Sequence, residues 1–462
     1  MPQESSSSVD PTASGFGLTA EGRPTVRVSE VRVSELDPAD IRGFHLRQPA
    51  PGDFSEAGVI WFDGWVVGGD ARAAAVEVMA EGVKLGRIPV SILSPALVGG
   101  FPDVDWARRA AFRGAIGPAR LRGRFKLTFV VELDGGRKLP IATIEGERAP
   151  LPKADAGNLQ PIMMTGLGRS GTTWLMQILE QHPGIAVFRS FDYEPRVAAY
   201  WTDVMAALTQ PASYLQTLAA APTPHNIWWI GEGAQVERPQ NPPDPQAERW
   251  LGVSQLNALA AVATGRIEAF YREVAKAQRK PDARYFSEKF RPGELTLAML
   301  WEMYPDAKEI FLIRDFRDML TSMLAYMRKR GYGLFDRDAS SSDEEFIRTN
   351  LRNDVEKLRA DWRDRGERSL LIRYEDLIVQ PEQELSRLTD YLGVDSADAV
   401  IANTLSAASA FRPEKQDAHK TSAGAKDSIG RWRRELSDSL KATCHEALGG
   451  GLEEFGYLEQ DA

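Results

Sequence analysis

The chain predicts an α/β fold: a P-loop-like parallel sheet with helices on both faces, preceded by a small all-β sandwich domain. Three observations carry this expectation. Residues Pro161 to Leu175 pass from an apolar run through a glycine-rich turn into an amphipathic helix. From about 161 onward, short apolar runs alternate with helix-period segments, the pattern of a parallel sheet. From about 25 to 148, short period-two runs are separated by turn residues, the pattern of a sandwich. The expected organisation is a disordered tail over 1–24, a β-sandwich accessory domain over 25–148, a linker over 149–160 and an α/β domain over 161–462.

Taken in order, residues 1–24 are rich in Ser, Pro, Gly and Thr and have too little apolar surface to offset ordering entropy. Val26, Val28, Val31 and Val33 alternate with polar residues, with a change of register near Ser29-Glu30. Strands are expected over Val59 to Val67 and within Val76 to Val90. Leu127, Phe129, Val131 and Leu133 alternate again before a turn at Asp134-Gly135-Gly136. Trp61 and Trp65 share a strand face and are expected in the core, with a sugar platform as the sharper alternative. His45 stands alone and is read as a surface or packing residue. Residues 149–160 have no periodicity and read as linker. A second strand is expected over Ile185 to Phe188, then mostly helix over 197–284. A proline-rich insert interrupts that stretch at Pro239, Pro242, Pro243 and Pro245, flanked by Trp228, Trp229 and Trp250. Further strands end at Arg284 to Phe290, Glu309 to Ile313 and Leu370 to Arg373. Helices are expected over Phe346 to Arg365, entered through a polar Ser340 to Glu345 cap, and over Pro381 to Leu392, stopped by Gly393.

Composition narrows the class. Hydrophobic residues at 43% and charged residues at 26% fit a soluble globular protein. The net charge of -9 argues against a general nucleic-acid partner, because a phosphate backbone rewards excess Lys and Arg. Cys444 is the only cysteine, so no internal disulfide or multi-cysteine metal site can form. No apolar run reaches about 18 residues, the length of a membrane span, and MPQESSSSVD lacks the basic start and apolar core of a secretory signal. A cytoplasmic location is expected.

The glycine-rich turn is where chemistry is expected. Gly166 and Gly171 are spaced as in the nucleotide P-loop, but Thr172 stands where that loop has lysine. The positive charge lies inside the loop instead, at Arg169. Without the lysine a triphosphate loses its main counter-charge. A loop with one arginine and the hydroxyls of Ser170, Thr172 and Thr173 suits a smaller anion, held by backbone N–H groups and a helix N-terminus. A second clamp is spaced along the chain. An apolar strand delivers Arg314 to its end, and Ser322 follows eight positions later, about two helical turns on. A guanidinium and a hydroxyl on one azimuth suit a phosphomonoester. Arg317 is expected to pair with an acid on the helix surface.

With Gly166 to Leu175 and Arg314 to Ser322 in view, the chain resembles the sulfotransferases that use 3'-phosphoadenosine 5'-phosphosulfate (PAPS). Its arginine-containing loop is similar to that of bacterial and tyrosylprotein members. The resemblance covers roughly residues 160 to 440. It implies that Gly168, Arg169, Ser170, Gly171, Thr172 and Thr173 hold the 5'-phosphosulfate, and that Arg314 and Ser322 hold the 3'-phosphate. It implies that Lys289 steadies the transferring sulfuryl group and that Glu194 is the general base. Tyr374 would contact the adenine, while Gly430 and Arg431 would close over the donor, Arg431 adding a second cation for the 3'-phosphate. Arg196 would orient Glu194 or bind substrate. The small-molecule branch has a histidine two residues after the lysine; here that position is Arg291. His225 is the alternative base, and His419 and Lys420 are further acceptor-side candidates. No metal is implied, since cationic side chains stand where charge grows.

Two rival readings remain beside this one. A P-loop kinase of a small molecule would need ATP and Mg²⁺. A non-catalytic carbohydrate- or partner-binding protein would bind the nucleotide without turnover. The acceptor, a small molecule or carbohydrate with lipid and peptide also open, has no readable code, and the oligomeric state has none either.

Overall fold

The computed structural model describes residues 26–458 except 56–57, 81, 156, 191, 211–254, 332–333, 411–420 and 423. The tail over 1–24, the proline-rich insert with Trp228, Trp229 and Trp250, and His225, His419 and Lys420 lie outside the described residues. The chain divides into two compact units: Met1–Pro152 with Trp201–Ala263, and Lys153–Tyr200 with Thr264–Ala462. No helix among the described residues is long and apolar enough to cross a membrane.

Among the described residues the first unit holds nine strands: β1 Val26–Val33, β2 Ile41–Gln48, β3 Phe54–Ser55, β4 Ile60–Gly68, β5 Ala73–Ala80, β6 Val83–Pro89, β7 Ala111–Ile116, β8 Arg124–Leu133 and β9 Lys138–Arg148. Six form one sheet in the order β3-β1-β9-β8-β5-β6, and three form another, β2-β4-β7. Period-two alternation puts Leu127, Phe129 and Val131 of β8 into a core shared with Phe62 and Val66 of β4. The rings of Phe62 and Phe129 meet edge to face at 4.8 Å. The register change expected near Ser29 is a bulge in the β1–β9 pairing between Val28 and Glu30. Gly135 and Gly136, at φ 94° and 85°, make the β8–β9 turn. Trp61 and Trp65 share a face of β4, opposite Phe62, and are half-buried in two smaller cores, Trp65 beside Phe101 and Trp106, Trp61 beside Val59 and Ala115. The alternation that aims Phe62 into the main core of the sandwich aims them into these satellites.

The second unit is built on a parallel sheet. Its strands are β10 Gln160–Thr165, β11 Ile185–Ala186, β12 Tyr285–Phe290, β13 Lys308–Ile313 and β14 Leu370–Arg373, in the order β11-β12-β10-β13-β14. The helices of eight or more residues that matter below are α1 Thr172–Gln181, α2 Val197–Thr209, α3 Gln255–Ala277, α4 Leu295–Met303, α5 Phe316–Arg330, α6 Arg352–Arg365, α7 Pro381–Leu392, α8 Asp398–Ala410 and α9 Asp438–Glu454. Both faces of the sheet are covered. Ile310 and Leu312 of β13 pack with α1, α7 and α8, while Phe311 and Ile313 pack with α5, α6 and α9. Gly393 ends α7 at φ 62°. Two expected elements differ. The second strand stops at Ala186. The helix expected over 346–365 contains a π-helical turn, Ile347–Leu351, between Asp343–Phe346 and α6.

The strand order locates the site. From β10 the chain crosses past the β12 position to β11, returns to β12, and then places β13 on the other side of β10. The connections diverge at the C-terminal end of β10, and a crevice opens where they do. A buried network ties this end together. Glu309 accepts from Thr165 Oγ1 at 2.6 Å, from Trp301 Nε1 at 2.9 Å and from Arg365 Nε at 2.8 Å.

Candidate active site

The loop after β10 is bent by two left-handed residues, Arg169 at φ 69° and Gly171 at φ 99°. A Cβ on Gly171 would lie 2.4 Å from the Tyr374 ring, so only glycine fits. Gly171 precedes α1, and no side chain caps that helix. Its first N–H groups, on Thr172 and Thr173, therefore point into the loop with no intrahelical acceptor. Ser170 Oγ is buried and has no hydrogen-bond partner among the described residues. A concave set of donors lacking acceptors is the cradle an anion fills.

Beside the loop, guanidinium groups converge. Arg314, at the end of β13 and 5% exposed, donates to the Arg169 carbonyl at 3.1 Å and to the Ser428 carbonyl at 2.7 Å. Its plane lies over the Tyr374 ring at 4.6 Å, and its Nε is buried without a partner among the described residues. Arg169 Nε donates to Ser322 Oγ at 3.1 Å, and its guanidinium lies 5.0 Å from the Tyr326 ring centroid. Thr421 Oγ1 lies 2.9 Å from Ser322 Oγ and 3.4 Å from both Arg169 Nη2 and Arg431 Nη1. Burial first, and then the charge of Arg314 with a smaller effect from Arg431, push the Arg169 guanidinium below its usual pKa. Such crowding of like charge is costly and is relieved by a bound anion.

The C-terminal loop is fastened to this cluster by Asp318. Its carboxylate accepts from Gly430 N at 2.6 Å and from Trp432 N at 2.9 Å, while Gly430 takes φ 68°. Burial raises the Asp318 pKa, with those two N–H groups acting against the rise. Tyr374 O–H lies 3.1 Å from Ser428 Oγ in the same loop. Asp318→Ala strands two buried N–H groups, each worth about 1–3 kcal/mol. We expect a lower melting temperature and faster proteolysis at residues 430–432. Arg317 departs from expectation. It is buried against the Asp315 carboxylate at 2.9 Å and lies 3.9 Å from the Trp432 ring centroid. Asp315 caps α5, which draws the pair inward rather than to the helix surface.

At the other edge of the cradle, Lys289 of β12 is buried. Its ammonium donates to Thr173 Oγ1 at 3.0 Å, to the Asp192 carbonyl and to Glu194 Oε1 at 3.2 Å. Burial lowers the Lys289 pKa, and the Glu194 charge opposes that shift. The Glu194 side chain is 50% exposed. Tyr193 at φ 63° and Arg196 at φ 51° flank it. Arg196 does not partner Glu194: it pairs with Glu294 at 2.8 Å. Arg291 pairs with Asp336 at 2.8 Å. The next residue of β12 inward, Glu288, is fully buried on the opposite face, and burial pushes its pKa up to about 7. A carboxyl group raised from about 4.5 binds more protons folded than unfolded, so it stabilises the chain at low pH. That contribution is lost as pH rises through about 7. Urea unfolding of the Glu288→Gln variant will lack this decline between about pH 4.5 and 7.

Thus the structure gathers the residues expected from the sequence into two neighbouring groups. Arg169, Arg314, Ser322, Arg431 and Tyr374 stand on one side of the loop, and Thr173, Lys289 and Glu194 on the other. Ser322 meets Arg169, and Arg314 reaches it only through the loop backbone. Thr421, Asp318, Ser428 and Glu288 were missed. Asp318 had a signal, an acid in the first turn of the helix that follows Arg314, and Ser428 lies next to the loop at Gly430 and Arg431 read from the sequence; Thr421 sits in irregular chain and had none.

Residues 161–399, more than half of the chain, match the model of the sulfotransferase family. The chain belongs to the sulfotransferase family. Protein-tyrosine sulfotransferase 1 of Danio rerio is 22% identical over 240 residues, 52% of this chain and 55% of that protein. This family member therefore spans about half the length of that curated relative. Among solved structures it is similar to the sulfotransferase domain of the Synechococcus PCC 7002 olefin synthase, with 21% identity, TM-score 0.37, and coverage of 67% of this chain and 99% of that one. A mouse sulfotransferase complexed with PAP gives 14% identity, TM-score 0.36, and coverage of 67% and 91%.

Proposed function

We propose that the α/β unit transfers a sulfuryl group from PAPS to a hydroxyl or amine of an acceptor, with Glu194 as general base. What supports this reading is the pairing of two features on one loop. Arg169 and Arg431 meet Ser322 and Thr421 beside an uncapped helix N-terminus, with Arg314 on the Arg169 carbonyl, and the Lys289–Glu194 pair stands at 3.2 Å beyond Thr173. A ligand with an anionic group at each end of an adenosine fits such a site. Ser170 Oγ and Arg314 Nε, buried and without a partner among the described residues, are atoms it would satisfy.

When bound, PAPS supplies an activated sulfuryl group. The loop N–H groups from Gly168 to Thr173 and the Arg169 guanidinium hold the 5' end, and Arg314, Ser322 and Arg431 hold the 3'-phosphate against Tyr374. Lys289, buried and therefore strongly felt, faces the growing negative charge. Glu194, half exposed, accepts the acceptor's proton. Calorimetry tests the reading. We expect PAP to bind at least about 10-fold tighter than AMP, since one clamped phosphate is worth more than 1.4 kcal/mol. Equal affinity for the two rejects it. Sulfur-labelled PAPS with host extract then identifies the acceptor.

A further inference from the structure

We propose that Glu288 is a positioning residue for this transfer, holding the chain behind Glu194 so that its carboxylate stays on Lys289. The proposal rests on the sulfotransfer reading above for its catalytic meaning, and on the following geometry for its substance. Successive residues of a strand face opposite ways. Lys289 and Ser287 face α1, where they meet Thr173 Oγ1 and Met176 Sδ. Glu288 faces α3 and is 1% exposed. It has no ion pair among the described residues, and a buried carboxylate without a cation is costly unless donors replace water. Its donors are Tyr271 O–H at 2.6 Å and Ala198 N–H at 3.0 and 3.2 Å to the two oxygens, with the Val197 N–H also directed at it.

Those N–H groups open α2, the helix that begins three residues after Glu194. Only Pro195, Arg196 and Val197 separate Glu194 from Ala198. Two consecutive residues of β12 thus tie the chain at both ends of this short span. Lys289 holds the Asp192 carbonyl before it, and Glu288 holds the helix amides after it. Between the ties, Tyr193 and Arg196 take left-handed backbone, which non-glycine residues adopt only where surroundings impose it. Around Glu288 the charged groups are few. Arg196 is engaged by Glu294, and Lys289 faces away across the strand. The carboxylate's evident task is to fix α2, and through it the position of Glu194.

The test reads Lys289 rather than the unidentified acceptor. In the full chain, amine-reactive labelling at pH 8 followed by mass spectrometry reports how well Glu194 holds Lys289 protonated. In Glu288→Gln an N–H₂ group replaces one acceptor oxygen, and in Glu288→Met both are lost. In either variant that folds, Lys289 labelling is expected to rise about 3-fold, with no further rise in a Glu194→Gln background. PAP affinity should stay within about 2-fold of wild type, while transfer of label from PAPS into host-extract acceptor falls about 10-fold or more, as expected when a base is displaced. Unchanged labelling, or an equal rise with and without Glu194, overturns the proposal. Wild-type chain that does not bind PAP overturns the sulfotransfer reading instead and leaves the labelling result standing on its own.

Discussion

On the sulfotransfer reading, Arg169→Ala is expected to lower turnover by about 10²- to 10³-fold, the cost of removing one preorganised donor from a site of developing charge. The direction of the accompanying stability change separates this role from a structural one. In the free chain Arg169 lies among Arg314 and Arg431, and burial together with the Arg314 charge depresses its pKa. Taking the guanidinium away relieves that repulsion, so the melting temperature is expected to hold or rise while PAP affinity falls. Arg169→Lys restores charge but not the planar fork that reaches Ser322 and Thr421, and recovers only part of the turnover. Turnover is read as label passing from PAPS into host-extract acceptor. A variant with near-normal turnover rejects the role, and one with a lowered melting temperature marks Arg169 as a structural residue.

On the sulfotransfer reading, Glu194→Gln is expected to lower transfer by about 10²- to 10⁴-fold, the usual worth of a positioned general base, while PAP binding is retained. The substitution keeps shape and removes charge, so the loop bounded by Tyr193 and Arg196 can stay in place. Lys289 is the internal reporter. Glu194 is the first influence that raises the Lys289 pKa against burial, so its removal lets burial lower that pKa further. Calorimetry with PAP and the labelled-transfer assay, run on the same preparation, check the pair of outcomes. Unchanged transfer would move the base to another residue. Loss of PAP binding would show that the carboxylate shapes the donor site instead.

The parts of the chain legible in the sequence are those where one periodicity carries the information. The apolar run 161–165 is buried throughout as β10, and the glycine at 171 could be read as a turn because its φ of 99° excludes other residues. Ser322 reaches the loop from inside α5, but Arg314 precedes that helix, so its place beside the loop comes from the end of β13 and not from a shared helical azimuth. What spacing cannot fix is the partner. Arg196 was expected beside Glu194 because they are neighbours in sequence, yet it pairs with Glu294, and Lys289 from a distant strand takes its place. Arg317 was expected at the surface, and the cap Asp315 with the Trp432 ring draws it inward. Thr421 bridges three site residues from a stretch without regular structure, where no pattern exists to read.

The Lys289–Glu194 contact has a consequence for the spacing of the reactants. At 3.2 Å the ammonium is turned toward Glu194 while it also holds Thr173 at the rim of the cradle. On the sulfotransfer reading, Lys289 then serves two partners, the transferring end of the donor and the carboxylate that faces the acceptor. A single buried side chain thereby sets the distance across which the two substrates meet.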